Sequence, residues 1–363
     1  MHNKIIEKQT DEQLIERLYR LPENFRELVA GRLRGLPEEN KLNDYNWLNE
    51  LFELAARVLG GAEASVLSAQ DYAQAITIFD ERYPQLLIQS YAPPLVLFVR
   101  GELTPGRLKL QPCLAIVGAR KAGVRILAFV ERIAEILADR SLVVVSGLAY
   151  GVDAAAHRGA LAAAGGRTIA VLGTPVNRIY PMAHLGLAEQ IVAQGGALIS
   201  QFASCERTYP SNFLERNRII AGMCIGTFVA QAGDRSGSLA TARCAREENR
   251  DVMALPGDVI DENFIGTNKL IQSGATLVTC AQDILALYED VLSPPKIKQI
   301  ECSDSAKNPA LDLFLAGLSH EPIEMQEFLA LVPNDLDPHE AALSLELAGR
   351  IIKLAGDMVQ RVR

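Results

Sequence analysis

Two arginines flank an asparagine at Arg216-Asn217-Arg218, within a stretch from Pro210 to Gly222 that runs on into an apolar helical segment. Guanidinium groups hold phosphate oxygens bidentately, and an amide between them both donates and accepts hydrogen bonds. Arginines at the opening of a helix oppose its dipole, which favours acidic groups there, so the pair points to an anionic partner. Another cation sits in the turn Gly118-Ala119-Arg120-Lys121-Ala122-Gly123, directly after an apolar run. A glycine lets the main chain approach a phosphate there, and Arg120 can grip it, with Lys121 alongside. A solvated arginine on a plain turn accounts for the same residues.

Three further turns share this character. Ser146-Gly147 ends an apolar run, and Asp153 is placed to cap the helix that follows. Asp153 and His157, four apart, share a helix face, but no third ligand lies near in sequence, which favours capping and packing over a metal or catalytic pair. Gly173 closes the next run and precedes Tyr180-Pro181, where the tyrosine stacks on a base or shapes the loop. Ser236-Gly237-Ser238 follows a later run and offers hydroxyl and N–H groups as an anion nest. Chain order holds no Ser-His-Asp set, no G-x-x-x-x-G-K-[ST] loop, and no full G-x-G-x-x-G fingerprint. Binding is favoured over catalysis, with no metal or cofactor called for.

The elements that must carry these turns are short. From Cys113 onward, apolar runs at 114–117, 142–145, 168–172, 197–200, 226–230, 251–255 and 275–278 alternate with amphipathic segments such as Ile126, Phe129, Val130, Ile133, Ile136 and Leu137. This alternation predicts an α/β domain with a mostly parallel sheet and helices on both faces. Such sheets bind ligands at the carboxyl ends of their strands, where all four turns fall. Residues 1–90 read as helical, with Leu14, Ile15, Leu18, Leu21 and then Trp47, Leu48, Leu51, Phe52 at helical spacing. The expected division is a helical domain over 1–82, the α/β domain over 83–292, a linker over 293–310 and a small domain over 311–363. Two strand-like pieces about Gly356-Asp357 suggest that the last of these is a winged helix.

The formal charge of −8 opposes a generally basic surface. Residues 113–290 are near neutral, with 16 basic against 17 acidic groups; 14 of the 16 are arginine, the better residue for planar phosphate contact. Six scattered cysteines without a C-x-x-C pair argue against zinc or a disulfide framework. No apolar run is long enough to span a bilayer, and Met1 to Gln13 lacks a signal-like stretch, so a cytoplasmic protein with no membrane contact is expected.

The ordered motifs V-G-A-R, S-G-L-A-Y-G-V-D-A-A-A-H, T-I-A-V-L-G-T, Y-P, R-N-R-I-I-A-G, S-G-S-L-A-T-A, A-L-P-G and G-T-N-K-L-I-Q-S-G-A run from about Tyr83 to Leu285. In that order they resemble the DNA-processing protein A (DprA/Smf) family. The resemblance implies an extended Rossmann-like fold that binds single-stranded DNA, forms a homodimer and loads the RecA recombinase in natural transformation. By position it assigns DNA contact to Arg120 and to Arg216, Asn217 and Arg218. Pocket-lining loops fall at Ser146, Gly147, Gly173, Ser236, Gly237 and Ser238, and Phe213 becomes a base-stacking aromatic. Leu214, Glu215 and Gln231 depart from the family's pattern. The alternative is a nucleotide-processing enzyme resembling Rossmann-type phosphoribohydrolases with P-G-G-x-G-T-x-x-E. Here Pro256-Gly257 is followed by Asp258, Gly266-Thr267 comes only after an insertion, and the glutamate is missing at that spacing.

Overall fold

A nine-stranded sheet forms the centre of the chain, and its order decides where a ligand can enter. The computed structural model describes residues 14–21, 23–34, 67–103, 112–292 and 323–332, with parts of 337–361. Its first seven strands are β1 Ala75–Thr77, β2 Val96–Gly101, β3 Cys113–Val117, β4 Val143–Ser146, β5 Thr168–Val171, β6 Ala197–Ser200 and β7 Gly226–Val229. β8 Asp251–Ala254 and β9 Thr276–Leu277 complete it, in the order β1-β2-β6-β5-β4-β3-β7-β8-β9. All pairings from β6 to β9 are parallel, whereas β2 runs antiparallel to β6 and β1 antiparallel to β2. The expected parallel sheet is therefore present, with an antiparallel edge added to it.

The strands are mostly apolar because both faces are covered. Their side chains alternate: Leu114 and Ile116 of β3, Val144 of β4, Phe228 of β7 and Met253 of β8 enter one core. Cys113, Ala115, Val117, Val143, Val145, Val229 and Val252, one residue out of step, enter the other. Helices α1 Glu23–Arg34, α2 Ala69–Gln74, α3 Gln85–Ile88, α4 Val124–Asp139, α5 Val152–Ala162, α6 Leu185–Ala193, α7 Pro210–Gly222 and α8 Gly237–Glu247 supply most of the rest. α4 and α5 close the first core through Val130, Ile133, Leu137, Val152 and Ala156. α1, α6, α7 and α8 close the second through Phe25, Val29, Ile191, Ile219, Ile220 and Ala245. Each fully buried valine, leucine, isoleucine or phenylalanine among these contributes about 1.5–3 kcal/mol.

Among the described residues, the helical reading of residues 1–90 is interrupted by a strand. Ala75-Ile76-Thr77 is a strand, paired in register with Phe98, Leu97 and Val96. With this strand in the main sheet and α1 in the second core, contacts group the chain into two compact units, Met1–Ser293 and Pro294–Arg363. Trp47 to Phe52 and the expected linker over 293–310 lie outside the described residues. In the second unit, β10 Ile323–Glu324, β11 Ile351–Leu354 and β12 Met358–Arg361 form a sheet ordered β10-β12-β11. β11 and β12 pair antiparallel, from Ile351 with Arg361 to Leu354 with Met358, around a small core of Phe328, Val332, Leu345 and Val359.

Candidate nucleic-acid interface

β3 and β7 lie side by side although three strands, β4, β5 and β6, come between them in the chain, so consecutive connections leave β3 and β7 in opposite directions. This is the switch point of a doubly wound sheet, where the strand-end loops part and leave a crevice. A pocket of about 600 Å³ opens there. Its walls are Gly118 and Arg120 after β3, Ala149 and Asp153 at the start of α5, and Tyr180. Pro210, Phe213, Leu214, Arg216, Asn217 and Ile220 of α7, with Ser236, Gly237, Ser238 and Thr241 at the start of α8 and Val117 at the end of β3, complete them. The volume suits a small ligand or a single residue of a polymer.

Arg216 is the central cation of this pocket. It is only 5% exposed, and its Nη1 donates to the Gly147 carbonyl at 2.6 Å and the Val171 carbonyl at 2.7 Å. Its Nε donates to Asn217 Oδ1 at 3.1 Å, and the Asn217 amide reaches the Gly237 carbonyl at 3.5 Å. The guanidinium thus ties the carboxyl ends of β4 and β5 to α8. Burial pulls its pKa down, with Asp153 opposing at longer range, yet no carboxylate of the described residues pairs with it at ion-pair distance. A buried cation without a direct counter-ion costs several kcal/mol, and a bound anion relieves that cost.

Two glycines make this arrangement available. A Cβ on Gly147 would stand 2.0 Å from Arg216 Nη1, and one on Gly173 would stand 2.7 Å from the Phe213 ring. Neither glycine lines the pocket; each clears space for a side chain that does. Phe213 then meets Tyr180 with ring centroids 5.5 Å apart, and Tyr180 is 55% exposed at the rim. α4, α5 and α7 begin at Gly123, Gly151 and Tyr209 without side-chain caps, but Val152 N at the start of α5 already donates to the Ala119 carbonyl at 3.2 Å, Pro210 has no N–H, and Asn212 N donates to the Tyr209 carbonyl at 3.1 Å. α8 differs, because Ser236 caps it by accepting from Ser238 N at 3.4 Å. Arg120 is exposed on the pocket wall and makes no ion pair with any described residue.

Other sequence candidates are not brought together here. Lys121 is exposed beside Arg120 but does not line the pocket. Ser146 is buried, and its hydroxyl donates to the Ile116 carbonyl at 2.6 Å, joining β4 to β3. Arg218 points away: it pairs with Glu23 at 2.9 Å and donates to the Tyr91 carbonyl at 2.9 Å, in a separate cleft on the far side of α7. The conflict with the helix dipole dissolves as well. α7 begins at Pro210, so both arginines lie in its middle and not in its first turn. Glu215 shares the far cleft and accepts from Gln201 at 2.8 Å, which removes it from any phosphate in the pocket.

Asp153 does not cap α5; Gly151 holds that position. Its carboxylate instead accepts from Gly147 N at 3.1 Å and Ala149 N at 3.4 Å, bracing the loop after β4. Burial raises its pKa, against the pull of Arg216 and those two N–H groups. His157 faces the other way, its Nδ1 2.7 Å from the Thr168 hydroxyl, which itself donates to the Val144 carbonyl. The hydroxyl proton is thereby spent, so Nδ1 carries the histidine's proton. Burial drives the His157 pKa down to about 3.

Asp153, Tyr180 and Thr241 line the pocket although sequence reasoning did not select them as site residues. Tyr180 carried a signal, as a tyrosine after a strand end; Thr241 and Asp153 carried none that separates them from helix packing. The loop that leads into α7 is pinned from the amino-terminal side. Ser204 N donates to Asp71 at 2.8 Å, and the Tyr19 hydroxyl bonds Glu206. Burial works against the Asp71 carboxylate, but hydrogen bonds from Ser204 and Ser68 hold its pKa below the ordinary value.

A family model for DNA recombination-mediator protein A matches residues 74–289, the stretch that contains the sheet and the pocket. DNA processing protein DprA of Streptococcus pneumoniae is 43% identical over 213 residues, which are 59% of this chain and 73% of that protein. Protein Smf of Synechocystis sp. is 32% identical across 93% of this chain and 88% of its own length. A solved structure of DNA processing protein A from S. pneumoniae superposes with a TM-score of 0.59 at 34% identity, covering 76% of this chain and 96% of that one. DNA processing protein A of Helicobacter pylori, solved for its single-stranded DNA binding mode, gives a TM-score of 0.53 at 27% identity, covering 60% and 97%. With the family model spanning more than half of its length, this chain belongs to the DNA recombination-mediator protein A family.

Proposed function

We propose that this protein binds single-stranded DNA in the pocket at the β3/β7 switch point, protects it and hands it to the RecA recombinase during DNA uptake. One observation carries the binding reading: Arg216 is a buried cation that no carboxylate neutralises at ion-pair distance, on the wall of an open pocket. Arg120 adds a second cation on the pocket wall. Phe213 and Tyr180 supply ring faces for unpaired bases, which a duplex would keep stacked within itself. The H. pylori relative's single-strand binding mode supports the choice of ligand.

In this reading Gly118, Arg120, Phe213, Arg216, Asn217 and Ser236 to Ser238 contact the strand. Ser146, Gly147 and Gly173 position those groups, Lys121 adds charge at the edge, and Arg218 serves the fold. The protein acts in the cytoplasm as a homodimer, without catalysing a reaction on the DNA. Its parts are an amino-terminal region over 1–82 that shares one compact unit with the DNA-binding domain over 83–292, then a linker over 293–310 and a winged-helix module over 311–363. Among the described residues no helix is long and apolar enough to cross a membrane.

Fluorescence anisotropy with labelled oligothymidylate and a matched duplex, at two salt concentrations, tests the reading. Preferred, salt-sensitive binding of the single strand is the expected result; equal or salt-independent binding contradicts it. Co-sedimentation with RecA on single-stranded DNA tests the hand-over. One observation favours a second reading, the nucleotide-processing enzyme: Asp153 is a buried acid with a raised pKa on the pocket wall. Steady release of free base from nucleoside monophosphates would establish that reading.

A further inference from the structure

The aromatic surface does not stop at the pocket. Tyr150 follows Ala149, a pocket residue, and is 48% exposed; its ring meets His184 edge-on, with centroids 4.9 Å apart and planes at 65°. His184 lies four residues after Tyr180, across a short 3-10 turn at Met182–His184. Its Nδ1 is 2.8 Å from the Leu148 carbonyl, an atom that can only accept, so the imidazole donates there and its ring plane is set. Leu148 itself holds a left-handed backbone (φ 58°), a conformation costly for a leucine, and this turn presents Tyr150 outward.

Four of the fifteen exposed large apolar side chains among the described residues lie on these two segments: Tyr150, Tyr180, Met182 and Leu185. Exposed apolar groups gathered beside a pocket of about 600 Å³ mark an interaction surface. Rings with a free face that continue outward from an anion site match one occupant, the next bases of the same strand. Every base has a π-face, and stacking needs no particular sequence.

We propose that Tyr150, braced by His184, is a second base-stacking station, which carries the single strand from Phe213 and Tyr180 past the mouth of the pocket. This rests on the single-strand reading of the pocket. It assigns the station an unpaired nucleobase of any kind as its ligand, and it predicts a binding site longer than the pocket alone.

Oligothymidylates of increasing length, from two nucleotides to twelve, test the station in titrations of the full chain and its Tyr150→Ala and Tyr150→Phe variants. Tyr150→Ala should match the unaltered protein on the shortest oligomers and fall about tenfold short on the longer ones, whereas Tyr150→Phe keeps full affinity. A Tyr150→Trp variant gives an independent readout: long oligomers should quench its added fluorescence and short ones should not. Curves that coincide at every length assign the strip to another partner and overturn the station while leaving the pocket intact. An equal loss at every length also overturns it, because Tyr150 would then be supporting the pocket. If the unaltered protein binds no oligomer of any length, the pocket's own reading has failed, and the station falls with it.

Discussion

Helix α7 presents one arginine to each of two clefts, and the clefts treat them differently. Toward the switch point, Arg216 is buried, held by main-chain carbonyls at 2.6 and 2.7 Å, and has no ion-pair partner among the described residues. Across the helix, Arg218 lies over the Tyr91 ring at 5.9 Å and pairs with Glu23 at 2.9 Å, in a cleft of about 260 Å³ that also holds Glu215 and Glu248. The two residues are nearly alike in sequence. What differs is whether the fold has already supplied the anion. Where it has, the arginine joins α7 to α1; where it has not, the charge stays available to a ligand.

The comparison breaks most visibly at Gly147. Alanine there would put its Cβ 2.0 Å from Arg216 Nη1 and expel the guanidinium from its carbonyls. Urea unfolding of Gly147→Ala should show a loss of about 3 kcal/mol, from overpacking and broken charged hydrogen bonds together. An unchanged midpoint would mean that the pocket accommodates Arg216 elsewhere.

The next effect is acid sensitivity, from the His157 that α5 buries. Its folded pKa of about 3 lies below the ordinary 6.5, so its contribution is complete above pH 6.5 and is lost as pH falls toward 3. Over that window the unfolded chain takes a proton that the folded one refuses, at up to about 1.4 kcal/mol per pH unit. Asp153 works with the opposite sign, since protonation at low pH relieves a buried carboxylate whose pKa is raised. Stability curves of the unaltered protein and His157→Gln, measured from pH 7 to 4, isolate the histidine: their difference should shrink as pH falls. A constant difference would show that His157 is not held neutral.

The smallest effect belongs to the far cleft. Arg218→Ala removes a half-exposed ion pair and should cost under about 1 kcal/mol in stability. It should change oligothymidylate affinity by less than about twofold, because the side chain does not line the pocket. A tenfold loss would return Arg218 to the binding site.

The sheet was legible because buried parallel strands must be short, apolar and separated by helices, as in Cys-Leu-Ala-Ile-Val of β3. β1 was not: Ala-Ile-Thr is three residues long, directly follows α2, and becomes a strand only because β2 offers it an edge. The strand-end turns could be located, but their partners could not. Gly147 makes room for a side chain 69 residues away, and no local pattern encodes that. The split between Arg216 and Arg218 was readable in principle. Residues two apart on a helix point about 200° apart, so the pair could never share one pocket once the whole segment was helical.

The salt dependence of oligothymidylate binding tests the central claim most directly, measured for the unaltered protein, Arg120→Ala and Arg218→Ala. Each phosphate contact contributes about 0.7 to the slope of log affinity against log salt for a single strand. The account predicts a slope shallower by about that amount in Arg120→Ala and unchanged in Arg218→Ala. Equal slopes in all three proteins, or flattening in Arg218→Ala alone, would contradict it.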